Sequence, residues 1–165
     1  MKKIMVSILC LVFVIGVNAQ KKRPSPAATA EGTINGAKIT INYSQPSAKG
    51  RKIFGGLEAY GKVWRTGANE ATVFEIDKPV KIEGKELPAG KYELFTIPGE
   101  AEWVIIFQNY AKQWGAFSYK EENDVLRVTV KPAAPKSFVE TFEINVVADG
   151  VALAWENTKV KFSVK

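Results

Sequence analysis

The sequence contains no histidine, and its one cysteine, Cys10, stands in an apolar run close to the N-terminus. That run, Ile4 to Val17, follows Lys2 and Lys3 and ends in Val17-Asn18-Ala19 before Gln20. The order of charged, apolar and small residues is that of a secretory signal peptide, so cleavage after Ala19 and export to the periplasm or medium are expected. What is left has neither imidazole nor thiol. This excludes a Ser-His-Asp triad, a cysteine nucleophile, a disulfide and a zinc site of the usual nitrogen and sulfur ligands. The apolar run is also shorter than the about 20 residues of a membrane span and gives way at once to KKRPSP. No stable membrane insertion is therefore expected after cleavage. Ser7-Ile8-Leu9 before Cys10 lacks the small residue that precedes a lipid-modified cysteine.

Helical periodicity is the next absence. Short runs alternate apolar and polar residues, with turn signals every 8–12 residues or so, and there is no βαβ rhythm and no internal repeat. Asn35-Gly36 and Asp149-Gly150 are hairpin signals. Ile39, Ile41 and Tyr43 share one face of a strand, and Tyr92 to Ile97 and Trp103 to Phe107 are apolar enough to be central antiparallel neighbours. The expectation is an all-β fold: a single antiparallel β-sandwich or partly open barrel of about nine strands with a long ordered loop. Its domain spans residues 31–165, after a small, polar, proline-bearing lead-in at residues 20–30.

Basic charge is present in excess, a formal net charge of +6, two of which leave with Lys2 and Lys3. The lysines are scattered singly along strands and form no basic stripe with interleaved aromatics, so no nucleic-acid partner is expected. The stretch Arg51 to Thr72, RKIFGGLEAYGKVWRTGANEAT, breaks the alternation. It carries Gly55, Gly56, Gly61 and Gly67, the rings of Phe54, Tyr60 and Trp64, four basic side chains, and Glu58 and Glu70. Such a segment is either a long ordered loop or the lining of a site. Ile53 to Leu57 is expected to form one helical turn. A second irregular region, Gln108 to Asp124, holds Tyr110, Trp114, Phe117 and Tyr119, too many aromatics for a disordered loop.

The phrases RKIFGG at 51–56, YGKVWRTGANEAT at 60–72, LPAGKYELFTIPGE at 87–100 and KQWGAF at 112–117 together resemble a family of exported bacterial domains of unknown function, serial number twenty-nine eleven. The resemblance covers nearly the whole chain after the leader. It implies a β-rich envelope domain with the Arg51 to Thr72 segment as its signature, and it carries over no catalytic residue.

The residues themselves allow two uses of that segment. In one, Arg51, Lys62, Trp64, Arg65, Asn69 and Glu70, with help from Gln113-Trp114, face a small molecule, a sugar or a peptide; aromatic faces beside planar donors suit these ligands. In the other the segment is a rigid plug of an envelope structural or interaction domain. There Arg65 and Glu70 clamp one another as a bidentate pair, and Trp114 helps to close the end of the sandwich. A carboxylate-dependent hydrolase is a distant third reading. Glu58, Glu70, Glu75 and Glu93 are available, but most sit at alternating strand positions that read as solvated. No catalytic residue is assigned. Gly50 to Gly56 lacks the Gly-Lys-Ser/Thr ending of a phosphate loop, and no D-x-D-x-D spacing offers a hard-metal site. Neither a metal nor a cofactor is expected.

Overall fold

The computed structural model describes residues 23–165. The expected signal segment, 1–19, lies outside the described residues, as do residues 20–22. Eleven strands follow one another: β1 (Ala27–Ile34), β2 (Ala37–Ser44), β3 (Thr72–Ile76), β4 (Val80–Ile82), β5 (Lys85–Leu87), β6 (Gly90–Ile97), β7 (Trp103–Asn109), β8 (Asp124–Val130), β9 (Val139–Val147), β10 (Gly150–Glu156) and β11 (Thr158–Ser163). A single 3-10 turn, Glu121–Asn123, is the only helical element among the described residues. Six strands form one sheet in the order β1-β2-β3-β6-β7-β8, three form a second in the order β11-β10-β9, and β4-β5 is a separate hairpin. Every ladder is antiparallel. β5 has no counterpart in the expectation, because Lys85-Glu86-Leu87 has one apolar residue and no readable period.

The two sheets pack face to face on alternate side chains. Ile39, Ile41 and Tyr43 of β2, Phe74 of β3 and Phe107 of β7 meet Phe142 of β9, Leu153 of β10 and Phe162 of β11 in one buried cluster. Rings cross the interface edge to face, Phe107 against Phe162 at 5.7 Å between centroids and Tyr43 against Phe142 at 5.7 Å. The chain also stitches the sheets together. Beyond β2 it leaves the larger sheet and runs beside β9, where Ala48 N donates to Glu140 O and Phe142 N to Pro46 O. On the other side Lys81 and Lys165 exchange backbone hydrogen bonds, so the β4-β5 hairpin extends the smaller sheet past β11.

Asn35 and Gly36 turn with φ of 50° and 80°, the two positive values of a tight hairpin. The Asp149-Gly150 signal works differently. The turn lies at Ala148 and Asp149, and Gly150 is already paired with Val147 and Ser163. A Cβ there would come 2.1 Å from Phe162 O, so this glycine serves a close backbone approach rather than a turn. Ile53 to Leu57 forms a turn but no helix, with Leu57 exposed away from buried Ile53.

β6 is apolar on both faces because both are covered. Its outward residue Phe95 joins Ala71 and Ile106 in a second small core under Ala116 and Tyr119, so the 110–123 segment is a strap across the outer face of the larger sheet. Glu93, on that same face, is 1 % exposed, not solvated as its alternating position suggested. The Gln113 backbone N–H and side-chain amide both donate to its carboxylate, at 2.6 and 2.7 Å.

Candidate functional site

The Arg51 to Thr72 segment divides into two halves with different surroundings. In the first, Trp64 continues the line of β3 alongside β6: its N–H donates to Thr96 O at 2.7 Å and Thr96 N returns the bond at 2.9 Å. Thr96 faces the core, so Trp64 does too. Its indole stacks on Trp155 at 5.9 Å and meets Phe54, Trp103 and Phe142 edge to face, while its Nε1 donates to Gly67 O. Trp64 is therefore a core residue and not a ligand-facing one. Arg51 is turned back on its own chain, donating to the carbonyls of Ala48 and Ser47. Lys62 is exposed, and its backbone N–H donates to Ala59 O within the same loop.

Near Arg51 and Arg65 lies Glu58. Burial pushes its carboxyl up from the ordinary 4.5 to about 7, against the opposing pull of the two guanidiniums. Arg65 Nε is buried with no protein acceptor.

The second half turns sharply. Thr66, Gly67 and Asn69 have φ of 55°, 153° and 61°, and the turn is held by Thr72 Oγ1 donating to Thr66 O and by Asn69 Nδ2 donating to Ser25 O and Ser44 Oγ. These reversals carry Glu70 away from Arg65 to the outer face of the larger sheet. The expected Arg65–Glu70 clamp is absent. Glu70 instead receives both of its bonds from Arg23 Nη1, at 3.0 Å each, and its own backbone N–H, with Arg23, holds its carboxyl below the usual value.

The strap arrives at this point. Glu70 and Trp114 form an antiparallel bridge, with Ala71 N donating to Gln113 O and Gly115 N to Asn69 O. Trp114 is thus fixed by backbone on both sides, yet it is 59 % exposed, which overturns its expected part in closing the sandwich. Glu70, its bridge partner, lines a groove of about 280 Å³ together with Arg23, Ala27, Asn42, Ser44 and Val73, among others, a lining that does not include Trp114 itself. Of the candidate residues, Asn69, Glu70 and Trp114 are brought together here. Arg51 and Arg65 gather around Glu58, Lys62 stands apart, and Trp64 is in the core.

Against known families, the model described as "Protein of unknown function (DUF2911)" matches residues 25–164. The chain belongs to that family. No curated protein and no solved structure matches it.

The DUF2911 chain has two further features that sequence reasoning missed. Arg23 falls in the KKRPSP stretch of the polar lead-in, where nothing in the sequence pointed to Glu70. A separate cleft of about 240 Å³ lies at one end of the sandwich, where Phe54 and Tyr60 of the signature segment meet Glu100, Trp103, Asn157 and Thr158. The extra aromatics of the segment were its signal, but their partners come from three distant turns. Among the described residues of this DUF2911 chain, no group of three or more acidic, histidine or cysteine side chains is arranged to hold a metal, and no helix is long and apolar enough to cross a membrane.

Proposed function

We propose that this chain is an exported binding module that takes a carbohydrate on the outer face of its larger sheet, in the groove that holds the Arg23–Glu70 pair, with Trp114, bridged by backbone to Glu70, as an aromatic platform next to it. The observation that carries this reading is the exposure of Trp114 on a backbone fixed by hydrogen bonds to both neighbours of Glu70. A large ring held out in water without freedom to fold away forgoes the burial that would stabilise it by about 1.5–3 kcal/mol or more. It is pre-organised for a flat apolar partner, and the apolar face of a sugar ring is such a partner. Around the groove, a guanidinium, a carboxylate, the Asn42 amide and the Ser44 hydroxyl supply the planar and hydroxylic groups that sugar hydroxyls pair with. Glu70 is the one carboxylate lining the groove, whereas glycoside cleavage uses two across one bond. Binding without cleavage therefore fits the side chains better. The rival reading, a structural envelope domain with a plugged loop, draws on the buried position of Trp64 and accounts for the first half of the segment. It leaves Trp114 unexplained.

The test is isothermal calorimetry of the exported protein against a panel of soluble glycans, with Trp114→Ala alongside. A glycan that binds the native protein and loses at least about tenfold in affinity on Trp114→Ala, with the melting temperature unchanged, supports the reading. Binding that is indifferent to Trp114→Ala, or no binding across the panel, overturns it.

A further inference from the structure

The cleft at the end of the sandwich differs from the rest of the surface in charge. The chain carries 23 basic against 17 acidic residues, yet none of the residues lining this cleft is basic, one is a carboxylate, Glu100, and three are aromatic, Phe54, Tyr60 and Trp103. Two basic residues adjoin the lining in sequence, Lys131 before Pro132 and Lys159 after Thr158, and neither lines the cleft; Lys159 pairs through its backbone with Ala133 at the cleft wall and lines a different groove, on the outer face of the smaller sheet.

Several contacts fix the rings. Phe54 and Trp103 meet edge to face at 4.7 Å between centroids and form a floor. Tyr60 is the accessible ring of the three, 37 % exposed. It lies against Gly55, whose φ of 75° and lack of a side chain make room for it: a Cβ there would stand 2.5 Å from the ring. Next to it, Gly61 N donates to Pro98 O at 2.8 Å and ties the segment to the turn that bears Glu100. Asn157 and Thr158 complete the polar side.

We propose that this cleft binds a small organic cation, a quaternary or tertiary ammonium group, held by the Tyr60 ring over the Phe54–Trp103 floor and by the Glu100 carboxylate. Aromatic rings attract such cations through the negative face of their π-systems, and a weakly hydrated methylated ammonium loses little on leaving water. A carboxylate at the rim adds charge complementarity. At about 240 Å³ the cleft falls just below the about 300–1,000 Å³ of drug-sized sites, which suits one compact head group and not an extended chain. The site shares no residue with the Trp114 groove, so each stands or falls by itself.

The experiment is calorimetry of the full exported protein with choline chloride, and with the uncharged analogue in which carbon replaces nitrogen. Choline is expected to bind at least about tenfold more tightly than its neutral analogue, Glu100→Gln to weaken it several-fold, and Tyr60→Ala to abolish it. Trp114→Ala should leave it unchanged. Because Tyr60→Ala removes packing on Gly55, Glu100→Gln serves as the variant that does not disturb the fold, and shifts of the backbone resonances of Tyr60, Glu100 and Asn157 on adding choline locate the site. Vesicles bearing choline head groups, run beside free choline, separate a lipid source from a soluble one. Equal affinity for the charged and neutral compounds, or no choline binding, overturns the proposal.

Discussion

At Glu58 the cost of burying a charge exceeds what Arg65 and Arg51 return, and its carboxyl titrates near 7. A folded value above the unfolded one means that the native state holds a proton that the unfolded chain has released. Stability therefore falls as pH rises from about 4.5 to about 7 and is flat beyond, by up to about 3 kcal/mol for this group alone. Glu58→Gln should remove that slope, measured as denaturant midpoints between pH 4 and pH 8; an unchanged slope in the variant would sink the assignment. Arg65→Met should push the Glu58 titration higher still. Glu70 behaves oppositely. Its pair with Arg23 is exposed, 55 % and 47 % at the two side chains, and exposed pairs contribute about 0–1 kcal/mol. Glu70→Ala should therefore cost no more than about 1 kcal/mol, and combining it with Arg65→Ala should be additive within about 0.5 kcal/mol. A large coupling between these two residues would restore the clamp that the sequence suggested.

The element that the sequence rendered least well is the strap over β6 and β7. Its aromatics marked residues 108–124 as ordered, but the pattern did not say what they cover, because the covering is done from far along the chain. Glu93 illustrates the difficulty: in a strand that alternates, an acidic outward residue reads as solvated, and only Gln113, twenty positions on, reveals it as a buried acceptor. The core-facing rows were legible for the opposite reason, since Ile39, Ile41, Tyr43 and Phe74 follow the period of two that local backbone geometry imposes. The candidate site was half legible. Asn69, Glu70 and Trp114 do meet, while Trp64 and Arg65 were drawn elsewhere by left-handed turns at Thr66, a residue with no leaning to that conformation, and at Asn69. Glu93→Ala should leave the Gln113 backbone N–H and one of its two amide protons without their acceptor, the other staying on Gln108 Oε1, at a cost of about 1–3 kcal/mol. Amide exchange at residues 110–119 should then speed up well before that of β6 and β7. Equal acceleration in strap and strands would mean that the strap is not an independent unit.

At the scale of the molecule, one buried cluster runs through both sheets, and the signature segment enters it through Ile53, Phe54 and Trp64. Trp64→Ala should accordingly lower the melting point of the whole domain in a single transition, by the about 3–5 kcal/mol of a large buried aromatic. Separate transitions for the two sheets would contradict a shared core. The four tryptophans of the chain are divided unequally. Trp64, Trp103 and Trp155 are sealed in the core, with Trp64 and Trp155 stacked within 20° of parallel, and Trp114 alone meets solvent. The protein thereby carries a built-in optical reporter: its emission should separate into a blue, unquenchable component from the three buried indoles and a red one, from Trp114, that iodide extinguishes. Trp114→Phe should remove the red component and nothing else, so occupancy of the groove could be followed by light without attaching any dye.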